Sequence, residues 1–249
     1  MGALRTLARA TRRTGRKATG VTTDSMPAEA IRTASAGRAW ATDLRLGGAL
    51  VSLAGGIILM GIITAEAFYP RAYSTAANEI SDLGGTEPPN SLIFHPSAVV
   101  FDGSMIVTGL LVLAGSWFVH RAFRRRSVTI PLALLGVGAL GVGLFPGYTG
   151  APHALFAMLT FVAGGIAALT GSRVTTAPFR FLSILLGAVS LLSLVSYLIL
   201  ADANPMAGLG IGGIERWIVY PIVLWVTAFG GYLAGRSDAG SAGTSGAGH

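Results

Sequence analysis

The sequence predicts an all-α integral membrane bundle of six transmembrane helices, with both termini cytoplasmic. Three observations predict it. Of the 249 residues, 52% are hydrophobic and only 12% charged, about half the charged fraction of a soluble domain. The mean hydropathy is +0.64, and the apolar residues come in runs close to the roughly 20 residues that a helix needs to cross about 30 Å of hydrocarbon. Finally, Arg collects on alternate connections between those runs.

Residues 1–43 are rich in Arg, Ala, Thr and Gly and hold no apolar run. They lack the hydrophobic core of a secretory signal peptide, and although their composition also suits a transit peptide, a disordered basic cytoplasmic arm is expected. Residues 44–235 form the transmembrane domain, with spans expected near 46–69, 97–119, 128–145, 152–171, 180–201 and 214–234. Residues 236–249, rich in Gly, Ser and Ala, read as a disordered tail.

Cytoplasmic loops of membrane proteins are enriched in Lys and Arg, which orients the chain. The arm carries Arg5, Arg9, Arg12, Arg13, Arg16, Lys17, Arg32, Arg38 and Arg45. The connection after span two carries Arg121, Arg124, Arg125 and Arg126; that after span four, Arg173 and Arg180; and the tail adds Arg236. The alternate connections offer only Arg71, and Arg216 at the mouth of span six. The formal charge of +7 therefore belongs to topogenic anchors, and no nucleic acid partner is expected. Arg is used almost to the exclusion of Lys, as in a GC-rich bacterial genome, so the bacterial plasma membrane is the expected location.

Helices in lipid meet through small residues. Ala163, Ala167 and Gly171, Thr227, Gly231 and Gly235, and Ala139 and Gly143 each recur every four residues and are expected to line packing faces. Such faces serve contacts within the chain or with a second copy or another membrane protein. Tyr69, Trp117, Trp217 and Tyr232 fall near span ends, where amphipathic rings favour the interface.

The residues with chemical potential lie on the external side. The long connection 70–96 carries Asn78-Glu79-Ile80-Ser81-Asp82-Leu83-Gly84 and Glu87-Pro88-Pro89-Asn90. Turn and cap chemistry explains such residues, and a ligand-gripping loop is the functional alternative. Asp102 lies inside an apolar run, where an acid needs a partner and marks a functional hypothesis. His95, seven residues earlier, shares its face if the helix starts by Phe94. Arg216 or a His is the expected partner of Asp102. His153, Asp202 and Asn204 also open on this side, as do Glu215 and Arg216, neighbours that cannot share a helix face and so each pair elsewhere. Arg216 can alternatively hold a phosphate or carboxylate headgroup.

With no Cys, thiolate chemistry and disulfides are excluded. His95, Asp102 and His153 supply N and O ligands of the kind zinc takes, but without metal-ligand spacing. Ser81, Ser97 and Ser104 lack the Gly-x-Ser-x-Gly elbow of a positioned nucleophile. No phosphate-binding glycine loop precedes a helix.

At Asn78–Gly84 the chain resembles a prokaryotic multi-pass membrane family known as domain of unknown function 998. The likeness continues through Ile93-Phe94-His95-Pro96-Ser97, Phe101-Asp102-Gly103, Gly143-Leu144-Phe145-Pro146 with His153, and Gly213-Ile214-Glu215-Arg216 with Tyr220, Pro221 and Trp225. It spans roughly residues 45–235. Asn often stands in that family where this chain has Asp102, which weighs against a mechanism needing a carboxylate there. The Ile-Ser-Asp-Leu-Gly segment also resembles, distantly, the six-helix damage-regulated autophagy modulator family. These resemblances imply the architecture and place the motifs at the external polar cluster; they imply no reaction.

The expected function is a non-enzymatic membrane component that binds a lipid headgroup or small ligand in an external polar pocket, without a cofactor. Its candidate binding residues are Asn78, Ser81, Asp82, His95, Asp102, His153, Glu215 and Arg216. A metal-assisted lipid hydrolase using His95, Asp102 and His153 is the second reading. A small-solute transporter is the third, although no internal repeat of the kind common in transporters is found.

Overall fold

The computed structural model describes residues 28–70, 73–200 and 205–245. Among them are six α-helices and no strand: α1 (Ala28–Ala67), α2 (Ser97–Phe123), α3 (Arg126–Leu144), α4 (Ala151–Gly171), α5 (Phe179–Leu200) and α6 (Gly210–Ser245). Each contains a stretch long and apolar enough to cross a membrane; this is a multi-pass membrane protein. The chain forms two units, Met1–Gly37 and Arg38–His249, and the bundle lies in the second.

The spans fall where the apolar runs predict, and the differences are at the two ends. Helix α1 begins at Ala28, so residues 28–43 are helical rather than an irregular arm. Six alanines between Ala28 and Ala41, with no proline, give that segment high intrinsic helix propensity. Helix α6 starts at Gly210 and runs to Ser245, so residues 236–245 of the expected tail are helical. There the costly nucleation step has already been made within the apolar span, and each further residue adds one hydrogen bond. Residues 1–27 and 246–249, with Arg71, Asp202 and Asn204, lie outside the described residues.

Close backbone approach holds the helices together. A Cβ on Gly109 of α2 would stand 2.5 Å from the Leu140 amide and 2.7 Å from the Gly136 carbonyl of α3, so the two backbones touch there without an intervening side chain. In α4, Ala163 and Ala167 are buried, and a Cβ on Gly171 would come within 2.6 Å of the Trp225 indole. Trp225 is fully buried. Its Nε1 donates to Ser183 Oγ at 2.7 Å, and that hydroxyl donates to the Ala168 carbonyl at 2.7 Å. One polar thread thus joins α6, α5 and α4.

The expected small face of α6 needs correction. Gly231 and Gly235 have open space where a Cβ would be, whereas Thr227 and Gly230 pack against Gly55 and Gly48 of α1. At 3.6 residues per turn, positions three apart share a face as readily as positions four apart, and here the contact row steps from Thr227 to Gly230 to Ala234.

The connections α1–α2, α3–α4 and α5–α6 gather at one end of the bundle, where the Gly212 amide donates to the Ala76 carbonyl at 3.0 Å. At the other end Arg121 Nε sits 3.2 Å from the Asp43 carboxylate, and Arg236 donates to the Val174 carbonyl at 2.9 Å. Trp117 and Trp217 are exposed, as rings at a lipid interface are.

Candidate functional site

The site is built at the end where the α1–α2 connection folds over the helices. The segment 78–85 turns tightly because short polar side chains bond locally to the backbone. Asp82 Oδ2 accepts from the Asn78 amide group at 3.2 Å and the Glu79 backbone N–H at 3.1 Å. Asn78 Oδ1 accepts from the Ser74 N–H at 3.1 Å, and a 3-10 turn follows at Ser81–Leu83. Ser97 Oγ, buried at the start of α2, donates to the Leu83 carbonyl at 3.2 Å. Asn78 and Asp82 are thus occupied in holding the loop's shape.

Arg216 is the node that ties this loop to the helices. Its guanidinium is buried and donates from one terminal nitrogen to the carbonyls of Thr75 (3.0 Å), Asn78 (3.0 Å) and Gly212 (2.9 Å). The other terminal nitrogen donates to Glu66 Oε1 and to the Tyr73 hydroxyl, both at 2.9 Å. The Tyr73 hydroxyl donates in turn to the Glu79 carbonyl at 2.7 Å, and its ring lies 5.5 Å from the guanidinium carbon. Burial pushes the Tyr73 hydroxyl above its ordinary range, against the opposing pull of Arg216. Both terminal nitrogens of Arg216 are therefore spent on protein acceptors, which leaves neither for a bidentate headgroup.

The partner of Arg216 is Glu66, and Asp102 is not its partner. Asp102 Oδ1 is buried without a hydrogen-bond partner, pressed against Gly84, where any Cβ would collide with the carboxylate. His95 is exposed and precedes α2, which starts at Ser97, so His95 and Asp102 do not share a helix face. His153 is buried near the start of α4, with Nδ1 2.8 Å from the Phe145 carbonyl. Among the described residues no group of three or more His, Asp or Glu is placed to hold a metal. The set His95, Asp102 and His153 is dispersed because the turn at His95–Pro96 puts the first ligand outside the helix that carries the second.

Beside the node lies a cavity of about 210 Å³. Glu79, Ser81, Glu87, His153 and Glu215 line it together with an apolar interior that includes Ile58, Met105, Val142, Phe161 and Val219. A smaller cavity of about 60 Å³, which shares Ile58, Met105, Phe161 and Val219, continues between the helices among mainly apolar side chains. Glu215 Oε2 accepts a hydrogen bond from the Ile80 N–H, so Glu215 and Arg216 point to different partners, as neighbours on a helix must. The structure thus brings Ser81, His153 and Glu215 to one cavity and leaves His95 and Asp102 off it.

Sequence reasoning missed Glu66 and Tyr73, which complete the Arg216 node. Glu79 and Glu87, which line the cavity, lie in the two segments that it singled out as a possible ligand-gripping loop, without being named as binding residues. Glu66 had a usable signal, since it is an acid inside the first predicted span and the reasoning applied to Asp102 covers it.

Burial raises the Glu79 carboxyl above its ordinary value of 4.5; the Asp82 and Glu87 carboxylates raise it further, and a hydrogen bond from Ser81 opposes them. An acid with a raised folded-state pKa contributes stability that is complete below its unfolded pKa and lost as pH rises through the folded one. Glu79→Gln is therefore expected to raise the melting temperature more at pH 8 than at pH 4. An equal shift at both pH values in detergent-solubilised protein would contradict this.

No curated protein and no solved structure matches the chain. The likeness to the damage-regulated autophagy modulators has no support from these comparisons. A family model described as "Protein of unknown function (DUF998)" matches residues 52–232, which include every residue of the cavity and of the Arg216 node. Covering most of the six-helix domain, that match shows that the chain belongs to the DUF998 family of membrane proteins of unknown function.

Proposed function

We propose that the protein is a non-enzymatic component of the plasma membrane that holds a small amphiphilic ligand at the non-cytoplasmic end of its bundle. The observation that carries this reading is the 210 Å³ cavity, polar at Glu79, Ser81, His153 and Glu215 and apolar at Ile58, Met105 and Phe161. Binding sites are concavities of this kind, mostly apolar with a few convergent polar groups. A water occupies about 30 Å³ of liquid, so the cavity takes a ligand portion of roughly seven non-hydrogen atoms. Such a volume suits a headgroup and a short stretch of chain rather than a whole lipid.

Native mass spectrometry of the purified protein tests the reading. A co-purifying small amphiphile is expected on the wild type and absent from Ala157→Phe, because Ala157 lines the cavity and a benzyl side chain fills it. Wild-type protein that carries the same adducts as the filled variant would sink the proposal.

The orientation is part of the proposal and rests on the basic residues at the Arg121–Arg126 end. The chain has no Cys, so single cysteines at Thr86 and Ser127 report cleanly. They are expected to react with an impermeant maleimide from opposite sides of intact cells, Thr86 from outside. Labelling of both from one side would overturn the topology.

A further inference from the structure

We infer that the cavity selects a ligand with a cationic ammonium head and a short apolar tail. This rests on the ligand-binding reading above and adds to it the sign of the ligand's charge. Three carboxylates line the cavity, from Glu79, Glu87 and Glu215, and no Lys or Arg does among the described residues. The strong cation nearby among the described residues, Arg216, has both terminal nitrogens committed to Glu66, Tyr73 and three backbone carbonyls. It cannot turn to neutralise the cavity without breaking the loop's attachment.

The histidine adds an acceptor of its own. A carbonyl oxygen only accepts, so the 2.8 Å contact with Phe145 requires the proton on His153 Nδ1, and Nε2 of the neutral ring is then an acceptor. Glu215 is the most telling of the carboxylates. One oxygen takes the Ile80 N–H, and the residue lines the cavity, so its second oxygen is available to a ligand there. A carboxylate held against apolar walls is costly unless it meets a donor or a positive charge. An ammonium group supplies both, with three N–H donors for Glu215, Glu79 and His153. An anionic head would meet like charge from all three carboxylates. The apolar lining continues from the acidic mouth into the smaller, mainly apolar cavity, which sets the tail's direction along the helices.

The test uses the full chain in phosphatidylcholine nanodiscs and three probes of matched size: hexylammonium, 1-hexanol and hexanoate. Binding is followed by saturation-transfer NMR, with empty nanodiscs as background. Hexylammonium is expected to bind at least about tenfold more tightly than either of the others, the ratio that one charge-assisted hydrogen bond supplies. Glu215→Gln keeps an acceptor for Ile80 and is expected to remove most of that preference, weakening hexylammonium far more than hexanol. Glu87→Gln, at an exposed position, is expected to weaken hexylammonium about threefold, and it serves should the Glu215 variant fail to fold. Equal or tighter binding of hexanoate would overturn the cationic preference and leave the amphiphile reading standing. Binding of no probe would overturn both. Replacing half the lipid with phosphatidylethanolamine separates the sources: lost hexylammonium binding assigns the ammonium to a lipid headgroup, and unchanged binding assigns it to a free amine.

Discussion

Arg216→Ala is expected to be the most damaging single substitution in the bundle, at about 3–5 kcal/mol, the range for breaking a buried ion pair by removing one partner. The substitution leaves the Glu66 carboxylate without its cation. It also strips donors from the carbonyls of Thr75, Asn78 and Gly212. The loop that carries Glu79, Ser81 and Glu87 would lose its attachment to α1 and α6. Arg216→Lys should recover little, since an ammonium has three donors on a flexible stem and cannot span acceptors set around a planar fork. Scanning fluorimetry in detergent should show a fall of about 10 °C, taking about 2–4 °C per kcal/mol for a chain of this size. A drop of less than about 2 °C would mean that the node is not what holds the loop. The double variant with Glu66→Ala should be less than additive, because each single change already removes the shared contact.

Gly109→Ala is expected to destabilise by about 1–3 kcal/mol, the usual cost of overpacking. A methyl group there meets backbone, the Leu140 amide and the Gly136 carbonyl, and backbone cannot rotate away as a side chain would. The same change at Gly231, where nothing stands within 4 Å of the new carbon, should be neutral or stabilise by up to about 1 kcal/mol, as alanine favours helix over glycine. Denaturant titration of both variants separates close approach from propensity. Equal effects at the two sites would show that α2 and α3 are not in backbone contact at Gly109.

These two tests mark a boundary between what was readable and what was not. The acidic and basic residues of the α1–α2 connection and of the start of α6 stand out in a chain with so few charges, so the end of the bundle that holds the site was legible. Which of them meet was not. Asp102 looked like the residue in need of a partner, yet the partner of Arg216 is Glu66, 150 positions earlier in the chain. Pairing across that distance depends on where α1 and α6 cross, and the crossing is set by Gly48 against Gly230 and Gly55 against Thr227. A four-residue spacing rule picked Gly231 instead of Gly230, because both positions look small and apolar in sequence and only the neighbour distinguishes them.

Length and hydropathy alone determine that six helices span a membrane, since the bilayer's thickness acts on each run independently of its neighbours. The local bonding of Asn78 and Asp82 in their turn is close to this, because the partners lie within four residues. The cavity is a different kind of property. Its carboxylates come from the α1–α2 connection and α6, its histidine from α4 and its apolar walls from α1, α2, α3, α4 and α6. Only the packing of those helices decides that Glu215 faces a shared space while Arg216, one residue later and rotated about 100° around the helix, is buried among carbonyls.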